Sequence, residues 1–197
     1  MPNALQVHIQ PQRERLRKCA GAGAAGHSAD LIRFGWDPWA WRLDLKHLLI
    51  VYHSQSGHTE AMANAVLRGA RSPEVDGVET RMLRAGDAGP DDLLWADALV
   101  LGTPENFGYM SGAMKDFLDR TYYPCEGKVE SLPYAIFISA DNDGSGALGS
   151  IERIARGYPL RPVQEPIIAR GETSDEVLAA CEELGMAMAA GLEMSVF

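Results

Sequence analysis

Six consecutive residues, Ser54-Gln55-Ser56-Gly57-His58-Thr59, gather hydroxyls around one glycine at the point where an apolar run gives way to an amphipathic one. Glycine lets the backbone turn tightly and approach a ligand closely. The start of a helix leaves N–H groups without intrahelical partners, and these favour an anion. Ser54, Ser56 and Thr59 add hydroxyl donors, and His58 adds a ring nitrogen. Such a segment reads as a nest for a terminal phosphate that uses no lysine. No Gly-Lys-Ser/Thr follows, and G-x-G-x-x-G is absent, so neither nucleotide fingerprint applies. A plain strand-to-helix turn with Ser/Thr caps is the competing reading.

Two further segments have the composition of a ligand cleft. Gly102-Thr103-Pro104-Glu105-Asn106-Phe107-Gly108-Tyr109-Met110-Ser111-Gly112 holds two aromatics in what reads as a loop, stiffened by Pro104. Flat side chains and backbone amides suit a planar heteroaromatic ligand, although the same aromatics could simply cover a helix start. Ser139-Ala140-Asp141-Asn142-Asp143-Gly144-Ser145-Gly146 is polar and glycine-rich. It is placed either to close the same cleft or as ordinary surface.

The elements that must position these segments alternate in type. His47–Tyr52, Ala98–Leu101 and Tyr134–Ile138 are short continuous apolar runs, as in strands covered on both faces. Gly77–Leu83 alternates and reads as a more exposed strand, and Val163–Ala169 reads as an edge strand broken by Pro166. Helices are expected over Thr59–Ala70, over Pro90–Trp95 with proline in its first turn, and after Gly108, where Met110, Ala113, Met114, Phe117 and Leu118 fall on one face. Leu148, Ile151, Ile154 and Ala155 mark another. The last helix opens with the capping-box pattern Thr173-Ser174-Asp175-Glu176, and Val177, Cys181, Leu184 and Met188 form its inner face. Strands alternating with helices predict an α/β fold, a doubly wound five-stranded parallel sheet with helices on both faces. The order 2-1-3-4-5 would put all three segments at the carboxyl ends of the strands, beside the switch between strands one and three.

Ser54-x-Ser56-Gly57-x-Thr59 is similar to the flavodoxin phosphate-loop pattern. Gly102-Thr103-Pro104-x-x-Phe107-Gly108-x-Met110-Ser111-Gly112, with Met114 and Phe117-Leu118-Asp119 behind it, resembles the flavin-ring loop of NAD(P)H-dependent FMN reductases. The likeness is to NAD(P)H:quinone oxidoreductases of the tryptophan-repressor-binding-protein type, and it covers residues 46–197. The resemblance implies FMN as cofactor, NAD(P)H as co-substrate and a quinone or similar small molecule as electron acceptor. It assigns Ser54, Gln55, Ser56, Gly57, His58 and Thr59 to the phosphate. It assigns Thr103, Pro104, Glu105, Asn106, Phe107, Gly108 and Tyr109 to the ring, with Ser139, Ala140, Asp141, Asn142 and Gly144 closing over it. Such enzymes commonly pair subunits to complete the site, so the resemblance admits a homodimer while the sequence leaves the oligomeric state open. The third segment departs from the family in lacking a Thr-Gly-rich run, and the chain lacks the longer insertions of the quinone reductases.

The remainder of the chain narrows the choice. Eighteen Lys and Arg against 27 Asp and Glu give a net charge of −9, which argues against nucleic acid as a partner. No apolar run approaches the roughly 20 residues of a membrane span. Cys19, Cys125 and Cys181 lie far apart, as in reduced thiols of a cytoplasmic protein, and they form no metal-binding set. No nucleophile–histidine–acid set stands out, so no catalytic residue is assigned. Lys115, Asp116, Asp119 and Arg120 read as a solvated helix face. Residues 1–45 differ in composition: basic over Arg13–Lys18, Ala/Gly-rich over Cys19–Gly26, then Trp36, Trp39 and Trp41. They read as a poorly ordered extension, with a Trp-rich packing arm as the alternative. An electron-carrying flavodoxin is the competing function. A phosphorylated receiver domain shares the fold order, but the acidic residues it needs are replaced by His53-Ser54 and Gly102-Thr103.

Overall fold

A computed structural model describes residues 45–197; the expectations for residues 1–45 fall, but for Leu45, outside the described residues. The described chain runs β1 (Lys46–Tyr52), α1 (His58–Ala70), β2 (Val78–Arg84), α2 (Pro90–Trp95), β3 (Ala98–Asn106), β4 (Tyr109–Met110), α3 (Gly112–Cys125), β5 (Pro133–Ala140), α4 (Ser145–Gly157), β6 (Arg161–Pro162), β7 (Ile167–Arg170) and α5 (Asp175–Glu193). The sheet order is β2-β1-β3-β5-β6, with β7 also on β5 and β4 on β3.

The doubly wound α/β class is as expected, but the sheet has seven strands instead of five. The last strand is cut in two. β6 pairs with Pro133 and Tyr134, β7 pairs with Phe137 to Ala140, and Val163 to Pro166 bridge the gap. Pro162 sits within β6 with its missing N–H on the side away from β5, between the inward N–H groups of Arg161 and Val163, whereas Pro166 immediately precedes β7 and has no N–H to give to a ladder. The other difference lies at β3, which continues past Leu101 as far as Asn106 and returns as the antiparallel β4. Gly102 to Gly112 is therefore mostly a hairpin, and the sheet is not purely parallel.

The strands bury both faces. Leu49 and Val51 of β1, with Leu99, Leu101, Ile136 and Ile138, pack under Met114, Phe117 and Ile151. Leu48, Ile50, Val100 and Phe137 pack on the opposite face against Met62, Val66, Leu184 and Met188. Each such side chain contributes about 1.5–3 kcal/mol on burial, so an apolar run only a few residues long holds the central strands. On the second face α1 and α5 approach closely at two glycines. A Cβ on Gly69 would lie 1.8 Å from the Glu182 carbonyl oxygen, and one on Gly185 would lie 1.9 Å from that of Val66.

Two local expectations are corrected. The residue that caps α5 is Ser174, whose Oγ accepts from Val177 N–H at 3.4 Å; the capping-box pattern placed Thr173 there. The α3 face is not simply solvated. Lys115 and Asp119 do pair at 2.6 Å, but Arg120 reaches inward and donates to the carbonyls of Ala88 (3.1 Å) and Ala85 (3.0 Å). It thereby ties the turn after β2 to α3.

Candidate cofactor cleft

The carboxyl ends of β1, β3 and β5 surround an open cleft of about 230 Å³. Nine residues from the three chemical segments line it: Gln55, Ser56, His58, Pro104, Glu105, Asn106, Ser139, Ala140 and Asp141. The tenth is Gly171, from the turn after β7.

The first wall begins where β1 ends. His53 N–H donates to the Gly102 carbonyl at 2.9 Å, the last tie between the β1 and β3 backbones before the turn. Gly57 then adopts φ +98°, a left-handed conformation that favours glycine, and it reverses the chain into α1. Ser54 supports this turn by accepting from Gly57 N–H at 3.1 Å. The first helical bond is Ala61 N–H to Gly57 O at 2.9 Å. The N–H groups of His58, Thr59 and Glu60 precede it and stay available to an anion. A Cβ on Gly57 would meet nothing within 4 Å, so the space beside that residue is open. Among the described residues, His53 Nδ1 is buried without a hydrogen-bond partner. Burial and the Arg84 guanidinium push the His53 imidazole below its usual value.

Thr59 faces inward and its hydroxyl lies 2.7 Å from that of Ser139, which joins the first wall to the third. Ser139 and Ala140 are the last residues of β5, where a loop was expected from the sequence. Asp141, Asn142 and Asp143 follow, exposed. Two hydrogen bonds from Ser145, its backbone N–H and its hydroxyl, hold the Asp143 carboxyl below the usual range. Gly144 takes φ +73° at the start of α4 and is buried away from the cleft, where a Cβ would come within 2.5 Å of Ile168.

The second wall is the β3–β4 hairpin. Gly102 makes room for the Phe137 ring, whose Cζ would lie 2.0 Å from a Cβ there. Thr103 is fully buried and its Oγ1 accepts from Ser111 N–H at 3.0 Å, closing the base of the hairpin. Glu105 lines the cleft while its Oε2 accepts from Ala147 N–H at 3.0 Å, in the first turn of α4. Ser150 accepts from Met110 N–H at 3.2 Å. The hairpin is thus fastened to α4 by Glu105 and Ser150, and Ser150 was not singled out by any sequence pattern. Its tip is Phe107-Gly108, both with positive φ (52° and 68°). The Phe107 ring is fully exposed and Tyr109 is exposed beside it.

Ser54, Gly57, Thr59, Thr103, Phe107, Gly108, Tyr109, Asn142 and Gly144 are therefore near the cleft without lining it. Their structural roles are those just described. Gly171 was missed because nothing in Gly171-Glu172-Thr173 suggests a ligand. The available signal was its place just after a strand at the carboxyl edge of the sheet. Among the described residues, no three His, Cys, Asp or Glu converge on a point that could hold a metal. No helix among them is long and apolar enough to cross a membrane.

Residues 50–155 match the family model described as Flavodoxin. A flavodoxin of Aquifex aeolicus (strain VF5) is 28% identical over 160 residues, covering 72% of this chain and 84% of that protein. An NAD(P)H dehydrogenase (quinone) of Acidithiobacillus ferrooxidans (strain ATCC 53993 / BNL-5-31) is 34% identical over 123 residues, covering 52% of this chain and 60% of that protein. The chain thus matches less than two thirds of that enzyme's length. Of the solved structures, a flavodoxin from the domain Archaea superposes with a TM-score of 0.65 at 26% identity, over 74% of this chain and 98% of that one. A flavodoxin, WrbA-like protein from Agrobacterium tumefaciens gives a TM-score of 0.63 at 24% identity, over 76% of this chain and 98% of that one, a likeness of fold alone.

Proposed function

This chain belongs to the flavodoxin family, and from that premise we propose that it binds FMN and works as an oxidoreductase, taking electrons from NAD(P)H and giving them to a quinone or similar acceptor. The residues present fit the cofactor. A phosphate needs donors and no bulk, and the turn at Gly57 offers open space, free N–H groups at the start of α1 and the Ser56 hydroxyl. Pro104, Glu105 and Asn106 on one side, and Ser139, Ala140 and Asp141 on the other, would hold the ring between the hairpin and the end of β5. Bound FMN supplies a ring that accepts hydride and releases electrons one or two at a time. The chain's own work is then to bind, to orient and to keep one face of the ring accessible. Glu105 serves orientation, since its bond to Ala147 N–H fixes the hairpin. The hydride chemistry lies in the cofactor, so no nucleophile–histidine–acid set is called for.

The observation that carries the reductase reading is the lining of the cleft. Apart from His58 it contains no aromatic side chain, and the segment after β5 offers none. A nicotinamide can therefore approach the ring from that side. The 34% identity to a quinone dehydrogenase supports the same reading. A flavodoxin-type electron carrier is the second reading, favoured because the match to the Aquifex flavodoxin covers 84% of that protein against 60% of the dehydrogenase.

Mixing FMN-loaded protein anaerobically with NADH or NADPH tests the choice. Loss of the oxidised-flavin absorbance, with its recovery on adding a quinone, is the expected result. Persistence of that absorbance with both donors before any quinone is added, and no consumption of either donor once it is, would leave the carrier reading in possession.

A further inference from the structure

The turn after β7 forms a wall of the cleft that no sequence motif marked. Gly171 N–H donates to the Ala140 carbonyl at 2.8 Å, and Gly171 itself lines the cleft. Two residues on, Thr173 Oγ1 lies 3.2 Å from Nδ1 of His58 across a sequence separation of 115. We propose that Thr173 is a positioning residue for the phosphate end of the site: its hydroxyl holds the His58 imidazole so that Nε2 carries the proton and meets the anion. The inference rests on the FMN reading above.

His58 is the first residue of α1, where a side chain has solvent on one side and several open rotamers. Fixing it costs conformational entropy unless a partner holds the ring. Thr173 supplies that partner. A hydroxyl that donates to Nδ1 leaves the neutral imidazole protonated on Nε2, and Nε2–H is then a donor. Among the described residues Nε2 has no hydrogen-bond partner, while His58 lines the cleft beside Gln55 and Ser56. The division of labour in the turn is consistent with this. Ser174 caps α5 through Val177 N–H, so the Thr173 hydroxyl is not needed there. The turn is also held in place independently by Gly171 and Ala140, so the hydroxyl can be removed without loosening the wall.

Flavin-free protein is titrated with FMN and with riboflavin, which differ only in the phosphate, and flavin fluorescence is followed. Thr173→Val keeps the shape and removes the hydroxyl. It is expected to weaken FMN about fivefold, the size of one oriented hydrogen bond, and to leave riboflavin unchanged. Thr173→Ser should bind FMN as the unsubstituted protein does. In a His58→Asn background, Thr173→Val should add nothing, because its effect passes through the ring. Thr173→Ala, read by the same FMN-to-riboflavin ratio, replaces the valine variant should that one fail to fold. Equal weakening of both flavins, unaltered FMN binding by Thr173→Val, or no recovery in Thr173→Ser would each overturn the role given to Thr173 alone. An unsubstituted protein with no affinity for FMN would overturn the cofactor reading and this inference with it.

Discussion

Replacing Phe107 by asparagine should make the protein more stable. Phe107 is the first of two residues in the turn between β3 and β4, with φ +52°, and Gly108 follows at +68°. Two-residue hairpins with both residues left-handed favour Asn-Gly or Asp-Gly. A side chain such as phenylalanine pays about 1–2 kcal/mol for that backbone region, whereas asparagine tolerates it. The ring is at 108% relative exposure, so its removal forfeits no burial in the folded chain. The net gain should be about 1 kcal/mol, or roughly 2–4 °C in melting temperature for a domain of this size. Three variants in one melting series isolate the cause. Phe107→Ala retains the left-handed penalty and should melt with the unsubstituted protein. Phe107→Gly removes the penalty but adds unfolded-state entropy of about 0.5–1 kcal/mol, and should fall between alanine and asparagine. An asparagine variant that melts at or below the alanine one would refute the reasoning, because it would mean that the turn is not left-handed or the ring is covered. Strain held beneath an exposed aromatic at the rim of a cleft is a mark of function. If the proposed reductase activity is present, the more stable variant should accordingly show slower flavin reduction by NAD(P)H.

The α1–α5 contact makes a contrasting pair. Gly185→Ala drives a Cβ into the Val66 carbonyl and should lower the unfolding free energy, read from urea curves, by about 3 kcal/mol. Gly149→Ala in α4, where a Cβ meets nothing within 4 Å, should raise it by about 0.5–1 kcal/mol; the same sign for both would refute the packing argument. Alkaline pH should also destabilise the fold. Burial pushes the Tyr158 hydroxyl up to about 12, against an ordinary 10, despite the Thr121 hydroxyl bonded to it. Its stabilising contribution is therefore complete below pH 10 and fades as pH rises from 10 to 12, by on the order of 2 kcal/mol. Burial likewise pushes the Cys181 thiol up to about 12, so some loss begins near pH 9. Urea midpoints measured across this range should fall less steeply for Tyr158→Phe, and parallel curves would count against the assignment.

Much of the scaffold was legible because it depends on local rules. The apolar runs at His47–Tyr52, Ala98–Leu101 and Tyr134–Ile138 each became a central strand, and Met62, Val66, Met114, Phe117, Cys181 and Met188 each became buried helix positions. Periodicity alone determines which face of an element avoids water. The glycine and hydroxyls of Ser54–Thr59 likewise announced a tight turn into a helix, and Gly57 has the positive φ that such a turn requires. Pro166 foretold a broken edge, though not that both halves would pair with β5.

The rest was decided only when distant segments met. A sequence motif does not say whether a hydroxyl faces a ligand or another side chain. Thr59 is spent on Ser139, 80 residues away, and His58 is turned toward Thr173. Glu105 lies in a motif that reads as a ring loop, yet its carboxylate completes the start of α4, because α4's first turn has N–H groups to satisfy and comes to rest beside the hairpin. Arg120 looked solvated until the carbonyls after β2 came within its reach. The sequence by itself settled the class of fold and brought out the three polar segments proposed to meet a ligand, since burial and turn formation depend on near neighbours along the chain. Tertiary structure alone settled which polar groups remain open to that ligand, since a donor or acceptor is free only after every other part of the fold has been put in place.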